Sequence, residues 1–479
     1  MSDRLQQNKV KKILIPVYSS FNERLEYIKS KKDDITQILT KYNHSLCVSN
    51  ISGFNFSYKV VWDKKTKRIR FAVKKRLGVQ ESMDGEAHAV CYPVIKMGDG
   101  HLECAEHHDN IAIKMIPLTI TEINNKFSFK YKTWRELHLL METSKLIDKN
   151  ICPNFQYFYD YSICDETNIP LNFENKNILD TFKNEHKIEK IIELRNSMMD
   201  IIDDIVEIKY FRDIKQNLVN IKNDTNKVFK KIENTYIKNK LSNSSLVIFN
   251  ELAHYDFITW LNNMFIKKTL NKEIIESILL QVYIALIALG DLGFIHMDLH
   301  LGNVLISEIK NIKNSYWIYI IKKKTYYVPN YGYHVKIWDF GRAMSYDIDS
   351  PQQMYAMLLH QIKRFFKEEY YKKYIIRINE QFEGKKNKKT FDLMKSFDIF
   401  RFTNAFLNKL ENENEKKYDK IKEKMDNIIT DSIADFIENL ASNNKPEGTP
   451  SIIIDNYFTH YTKKPKNMVK LNDNPFIVA

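Results

Sequence analysis

The periodicity of apolar residues changes character once along this chain, and that change constrains the fold more than any other feature. From residue 51 the runs "FNFSYKVVW", "RIRFAVKKRLG", "AHAVCYPVI" and "NIAIKMIPL" alternate β-branched or aromatic residues with polar ones. That is the two-residue period of half-buried strands. Gly98, Asp99 and Gly100 mark a turn among them. In "KEIIESILLQVYIALIALGDLGF" the period is helical instead: Ile274, Ile275, Ile278, Leu279, Val282, Leu286 and Leu289 share a face. Strands early and helices late predict an α+β protein. A length of 479 residues exceeds one ordinary core, so two lobes are expected.

Finer punctuation divides the chain further. Residues 1–50 predict a small helical extension, with "RLEYIKS" and "DDITQILTKY" at helical spacing. Residues 51–164 form the strand-rich part, closing with a helix near 131–147 that puts Leu137, Leu140, Met141 and Leu146 on one side. Residues 165–244 are charged and helical, and read as an insertion with a solvent-facing helical hairpin. "SLVIFNEL" opens the part from 245 to 440 as a buried strand. Within that part "YWIYIIKKKTYYVPNYGYHVKIWDFG" reads as a hairpin followed by a strand. Residues 441–479 are expected to form a C-terminal tail.

Composition narrows the classes. Apolar residues at 44% suffice for a packed core, and 12 Gly with 11 Pro leave little room for long disordered linkers. The net charge of +13 suggests anionic partners such as nucleotide phosphates. The lysines are spread, with no arginine-rich arm or zinc-finger spacing, so a nucleic-acid partner is not expected. Five cysteines without a CxxC pair predict reduced thiols. His101, Cys104, His107 and His108 have zinc-ligand chemistry but read as loop residues. The N-terminus has no apolar signal core, and "ESILLQVYIALIALG" reads as too short and too polar to span a bilayer. The expectation is a soluble, intracellular, cytoplasmic protein with no membrane partner.

The chemistry concentrates in "GFIHMDLHLGNVLI", residues 293–306. Asp298 follows a long helix and precedes a strand, where a carboxylate can accept and orient the proton of an acceptor hydroxyl. Asn303 is placed on the same loop as an oxygen ligand for magnesium. Asp339, at the end of the strand "VKIWDFGR", is the second metal ligand, and the following glycine frees the backbone. Lys114 in "IAIKMIPL" is a strand cation able to hold α- and β-phosphates, and Glu136 in the next helix can pair with it. Glu142 on the same helix competes for that role. Phosphoryl transfer needs these parts: cradled phosphates, magnesium, and a carboxylate facing the hydroxyl.

"AIK", "HMDLHLGN" and "DFG" in this order resemble the protein kinase superfamily over roughly residues 70–440. The likeness is to haspin-type kinases and to the serine/threonine kinases predicted in large DNA viruses. It implies a two-lobed fold: a small antiparallel-sheet lobe with one helix, and a larger, mainly helical lobe carrying the catalytic loop 294–306 and the DFG at 339–341. It implies ATP and Mg2+ as cofactors, and Asp298, Lys114 and Glu136 as catalytic residues. Gly78 and Gly85 in "RLGVQESMDGEAHAV" become the phosphate loop, without its middle glycine. Glu251 and Leu252 become the hinge, touching adenine through backbone groups. "FDIFRF" is similar to the start of a haspin helix and makes Asp398 an anchor for the catalytic-loop backbone. Lys74, in "RIRFAVKK", is a rival to Lys114, but the glycine loop falls between the two and the helix follows Lys114.

The departures carry meaning. His300 stands where most protein kinases have a lysine, and Met297 where most have an arginine. Control by activation-loop phosphorylation is therefore not expected. No Ala-Pro-Glu follows "DFGRAMSYDIDSPQQ". His296 is expected to pack the loop and Trp338 to sit in the core. The resulting expectation is an ATP-dependent protein kinase, serine/threonine-specific by analogy, acting on a protein substrate. A kinase-fold small-molecule phosphotransferase and a non-catalytic pseudokinase scaffold are the alternatives.

Overall fold

A computed structural model describes residues 15–41, 43–45, 56–63, 68–76, 90–92, 96–98, 101–103, 111–165, 241–350, 353–354, 357–358, 388–413, 415–439 and 445–478. Gly78, Gly85, Cys104, His107, His108 and nearly all of the expected insertion at 165–244 lie outside the described residues. The protein is α+β, as the change of period predicts.

The described chain opens with helix α1 (Phe21–Lys41). Strands β1 (Phe56–Asp63) and β2 (Arg68–Arg76) follow, then the short strands β3 (Val90–Tyr92), β4 (Lys96–Gly98) and β5 (His101–Glu103). Strand β6 (Ile111–Thr119) leads into α2 (Ile120–Asn124), capped by Thr119 and Glu122 in a reciprocal capping box. Helix α3 (Lys132–Asp148), β7 (Phe158–Cys164), β8 (Leu241–Glu251) and β9 (Tyr255–Asp256) come next. Then come α4 (Phe257–Ile266) and α5 (Lys272–Asp291), capped by Asp256 and Asn271 through the N–H groups of Thr259 and Ile274. After them run β10 (Phe294–Ile295), β11 (Val304–Glu308), β12 (Ser315–Ile321), β13 (Lys324–Pro329), β14 (Tyr333–Ile337) and β15 (Met344–Ser345). The rest is α6 (Lys388–Met394), α7 (Ser396–Asn412), α8 (Asp419–Ile433), α9 (Pro450–Tyr457), β16 (Val469–Lys470) and β17 (Phe476–Val478).

The chain divides into two compact units. The first comprises Met1–Gln37, Phe127–Asp160 and Phe249–Ala479; the second comprises Ile38–Lys126 and Tyr161–Ile248. The second unit carries a four-stranded sheet in the order β3-β6-β8-β7 and, apart from it, the ribbons β1-β2 and β4-β5. The first unit carries the sheets β14-β11-β9 and β13-β12-β16, with β17 also on β12.

Helix α5 is the centre of the first unit, and here the expectation needs two corrections. It is not amphipathic: every residue from Ile274 to Gly290 is buried. Nor is the helix that contains this run too short and polar to cross a membrane, since it extends over 20 residues and includes an 18-residue stretch with a mean hydropathy of 1.8. Length and composition alone would permit a span, but the helix lies inside the unit, packed by α7, α8, α9, β13 and β14. Filling its surroundings is what an all-round apolar helix requires. A third correction concerns α3, where Met141 is exposed while Leu137, Leu140 and Leu146 are buried.

The predicted hairpin forms as β12 and β13. Its two-residue turn is Lys322 and Lys323, both at positive φ (45° and 72°). The right-handed twist of a hairpin demands that conformation, normally supplied by Asn-Gly. The presumed tail is built in: β17 adds in parallel to β12, and Phe476 is fully buried against Phe21 and Tyr319. The expectation of five reduced thiols fails at Cys164, which is disulfide-bonded. Cysteine spacing in sequence says nothing about which pairs the fold brings within bonding reach. Cys152 is a free thiol, pushed up to about 12 by burial.

Candidate active site

The segment from His296 to Asn303 leaves β10, crosses the loop holding Asp298, and enters β11 through a 3-10 turn at Leu301–Asn303. Its backbone is held from several sides. Asp398, in the first turn of α7, accepts the N–H of His296 through Oδ2 at 2.8 Å. Arg401, one helical turn further and so on the same face, donates to the carbonyl of Met297 at 3.1 Å. The Asn303 amide donates through Nδ2 to the carbonyl of Asp298 at 2.9 Å. The indole N–H of Trp338 donates to the carbonyl of Gly302 at 3.1 Å, so this half-buried ring braces the loop rather than filling the core. His296 is fully buried: Nδ1 accepts the N–H of Asp298 at 3.3 Å, which leaves Nε2 to donate to the carbonyl of Trp338 at 2.9 Å. These contacts hold Met297 at φ 59°, a strained conformation for a side-chain-bearing residue.

Asp339 follows β14 and is itself left-handed, at φ 65°. The N–H of Trp338 donates to the carbonyl of Asn303 at 3.3 Å, so the Asn303 and Asp339 segments run side by side. Phe340 is fully buried, with its ring 5.5 Å from His296 and 6.3 Å from Phe155. Gly341 is the point of closest approach. A Cβ there would lie 3.4 Å from Glu136 Oε2 and 3.5 Å from Asp339 Oδ1, so both carboxylates stand over this glycine. Glu142 pairs instead with Lys145 on the outside of α3. Arg135 ties α3 to the chain beyond: it donates to the carbonyl of Ala343 at 2.8 Å and pairs with Asp349 at 2.9 Å.

The charge pattern around Asp298 is dense. Arg401 Nη2 lies 2.5 Å from Asp298 Oδ1, and Arg342 Nη1 lies 3.4 Å from the same atom. Burial alone would raise this carboxyl, but Arg401 and then Arg342 outweigh it and hold it below the usual carboxylate range. Asp398 shows the reverse: burial dominates the neighbouring His296 and Arg401 and raises its carboxyl to about 6. His300 turns back on its own turn, where Nδ1 accepts the N–H of Gly302 at 3.0 Å.

Asp298, Asn303, Asp339 and Glu136 thus come together within the first unit. Lys114 belongs to the second unit, buried on β6 opposite Cys91 of β3. Its rival Lys74 is on β2, in the separate ribbon, at the point where the register with β1 shifts. Leu252 is partly exposed after β8. Glu251, expected at the hinge, is tied into the fold by both backbone and side chain. Its N–H donates to the carbonyl of Tyr157 and its carbonyl accepts from Gln156. Its fully buried carboxylate pairs with Arg24 of α1 at 2.8 Å and Lys336 of β14 at 2.7 Å. Burial opposes charge at Glu251, but two cations hold its carboxyl down at about 2. Lys336 shares that single carboxylate with Arg24, so burial prevails and its ammonium is pushed down to about 8.

The oxygen donors Asn303 and Asp339 fit magnesium, which takes few protein ligands and keeps waters and phosphate oxygens. The Nδ2 donation by Asn303 turns its Oδ1 the other way, as a ligand atom must be. Among the described residues, no three His, Cys, Asp or Glu converge to form a larger metal site. The residues that sequence reasoning missed are Arg342, Arg401, Arg135 and the Arg24–Glu251–Lys336 cluster. Arg342 directly follows the DFG and Arg401 lies three residues after Asp398, so both had a local signal. Arg24 had none, being 227 residues from its partner.

No family model matches the chain. It is similar to the uncharacterized protein R403 of Acanthamoeba polyphaga mimivirus, 24% identical over 280 residues, which covers 52% of this chain and 34% of that protein. It is also similar to the uncharacterized protein 098R of invertebrate iridescent virus 6, 34% identical over 118 residues, covering 24% and 19% of the two chains. The chain therefore spans about a third or less of the length of each of these viral relatives.

Proposed function

We propose that this chain is an ATP-dependent kinase of the two-lobed protein-kinase type, transferring the γ-phosphoryl group of Mg·ATP to a serine or threonine hydroxyl of a protein. The observation that carries the reading is the immobilised loop from His296 to Asn303. It presents the Asp298 carboxylate beside two oxygen donors, Asn303 and Asp339, the Asn303 carbonyl accepting the N–H of Trp338, the residue just before Asp339. The strand order β3-β6-β8-β7 supports it, because the lysine-bearing strand neighbours the one that leads to the expected hinge. Lys114 and the glycine loop enter this reading through their motifs alone.

In this reading Asp298 accepts a hydrogen bond from the acceptor hydroxyl and aims its oxygen at the γ-phosphorus. Its lowered basicity makes orientation its main task. The hydroxyl oxygen forms the new P–O bond as the bond to the β–γ bridging oxygen breaks, and that electron pair leaves with ADP. The hydroxyl proton passes late to Asp298 and from there to water. Asn303 and Asp339 would hold the magnesium, which supplies charge neutralisation on the phosphate oxygens. Glu136, beside Gly341, keeps α3 in register with the Asp339 turn.

The test is transfer of labelled γ-phosphate by the purified chain to itself and to mixed protein substrates, beside Asp298→Asn and Asp339→Asn. Transfer to serine or threonine that both substitutions abolish is the expected result. Mg·ATP binding without transfer would move the weight to a small-molecule acceptor, which the histidine at position 300 permits. Neither binding nor transfer would refute the enzyme reading and favour a scaffold.

A further inference from the structure

The catalytic loop lacks the fixed cation that the proposed reaction calls for, and the structure shows where one stands. Phosphoryl transfer spreads charge over the equatorial oxygens of the moving group, and a positive side chain aimed there lowers the barrier. His300 is not that side chain, since its Nδ1 is engaged as an acceptor by the N–H of Gly302, which gives a neutral ring. Two arginines flank Asp298 instead, and they are not equivalent. Arg401 is 4% exposed, rises from α7, and is fixed twice, to the Met297 carbonyl and to Asp298 at 2.5 Å. Arg342 lies on the 3-10 turn Phe340–Arg342, and its contact with the same oxygen is longer, 3.4 Å. Arg342 and the metal ligand Asp339 both act electrostatically on Asp298 and on His300, so this arginine belongs to the same neighbourhood as the ligand.

We propose that Arg342 is a catalytic residue that contacts the transferring γ-phosphoryl group in place of a catalytic-loop lysine, while Arg401 remains the standing counter-ion of Asp298. The inference rests on the kinase reading above. Asp298 does not need both cations. The closer, buried one suffices to keep it ionised, and the longer contact is the one that can be exchanged for a phosphate oxygen. An arginine suits this task because its planar fork matches phosphate oxygens and it stays charged at every working pH.

The experiment compares wild type with Arg342→Ala and Arg342→Lys in two assays: steady-state γ-phosphate transfer, and calorimetric affinity for Mg·ADP and for the non-hydrolysable Mg·AMP-PNP. The expected result for Arg342→Ala is a kcat lower by roughly 100-fold or more, the typical loss on removing one such donor. Mg·ADP affinity should be unchanged, and the preference for the triphosphate analogue over ADP should shrink. Arg342→Lys, which keeps a charge, should recover part of kcat. A wild type that transfers phosphate while Arg342→Ala stays within threefold of it would overturn the proposal and leave the kinase reading intact. An equal loss of Mg·ADP and Mg·AMP-PNP affinity with no recovery in Arg342→Lys would also overturn it, by assigning Arg342 a structural role. A wild type that neither binds nucleotide nor transfers phosphate would fail the kinase reading first, and this inference with it.

Discussion

Replacing Glu251 by glutamine removes one charge from a buried group of three. The wild-type carboxylate faces Arg24 at 2.8 Å and Lys336 at 2.7 Å, all three side chains being at most 3% exposed. Its carboxyl is held from an ordinary 4.5 down to about 2. At about 1.4 kcal/mol per pH unit, that corresponds to about 3 kcal/mol of stability. Breaking a buried pair independently costs about 3–5 kcal/mol, because the partner charge is stranded. Glu251→Gln strands two cations and should destabilise the protein by about 3 kcal/mol at pH 7. Because the folded carboxyl is depressed, its contribution is complete above the unfolded value of 4.5 and is lost as pH falls toward 2. The gap between wild type and variant should therefore narrow below 4.5, as the wild-type carboxyl protonates. Urea unfolding followed by fluorescence at a series of pH values measures it. A second substitution, Lys336→Met in the Glu251→Gln background, should recover part of the loss by removing a stranded cation. A gap below about 0.5 kcal/mol at pH 7, or one that keeps widening below pH 4.5, would refute the argument that this cluster fixes the segment entering Leu252.

Three further outcomes are expected. The Asp398 carboxyl is raised from 3.8 to about 6, so the wild type loses stability as pH rises between those values. Asp398→Asn should gain on wild type in melting temperature from pH 4 to 6.5, while γ-phosphate transfer falls because the anchor of His296 is weakened; parallel pH curves for the two would contradict this. Arg135→Ala leaves Asp349 buried without its counter-ion at 2.9 Å and should cost about 3–5 kcal/mol in urea unfolding. A double-mutant cycle with Asp349→Asn should show coupling between the two, and additivity would exclude it. Gly448→Ala would place a Cβ 2.4 Å from the Cα of Ser432 and 2.5 Å from the carbonyl oxygen of Asp431, both backbone atoms. The forced shift should cost about 1–3 kcal/mol, and an unchanged unfolding midpoint would refute it.

The sequence by itself determined what is local. Alternating and helical periods specified an α+β protein, because strand and helix each impose their own spacing on a buried face. Asp298, Asn303, Asp339 and Asp398 were legible because each sits in a short run whose flanking strand or helix fixes its direction. The hairpin of β12 and β13 was legible for the same reason. Tertiary structure decided everything that depends on distant partners. The carboxylate of Glu251 joins Arg24 across 227 positions, and no local pattern distinguishes that role from a hinge. Helix α5 looks amphipathic until the surrounding helices and strands bury its far side. The C-terminal residues look like a tail until β17 finds the edge of β12. The two arginines on Asp298 come from different elements, and only the packing of α7 and the Phe340–Arg342 turn against one loop brings their charges onto a single oxygen.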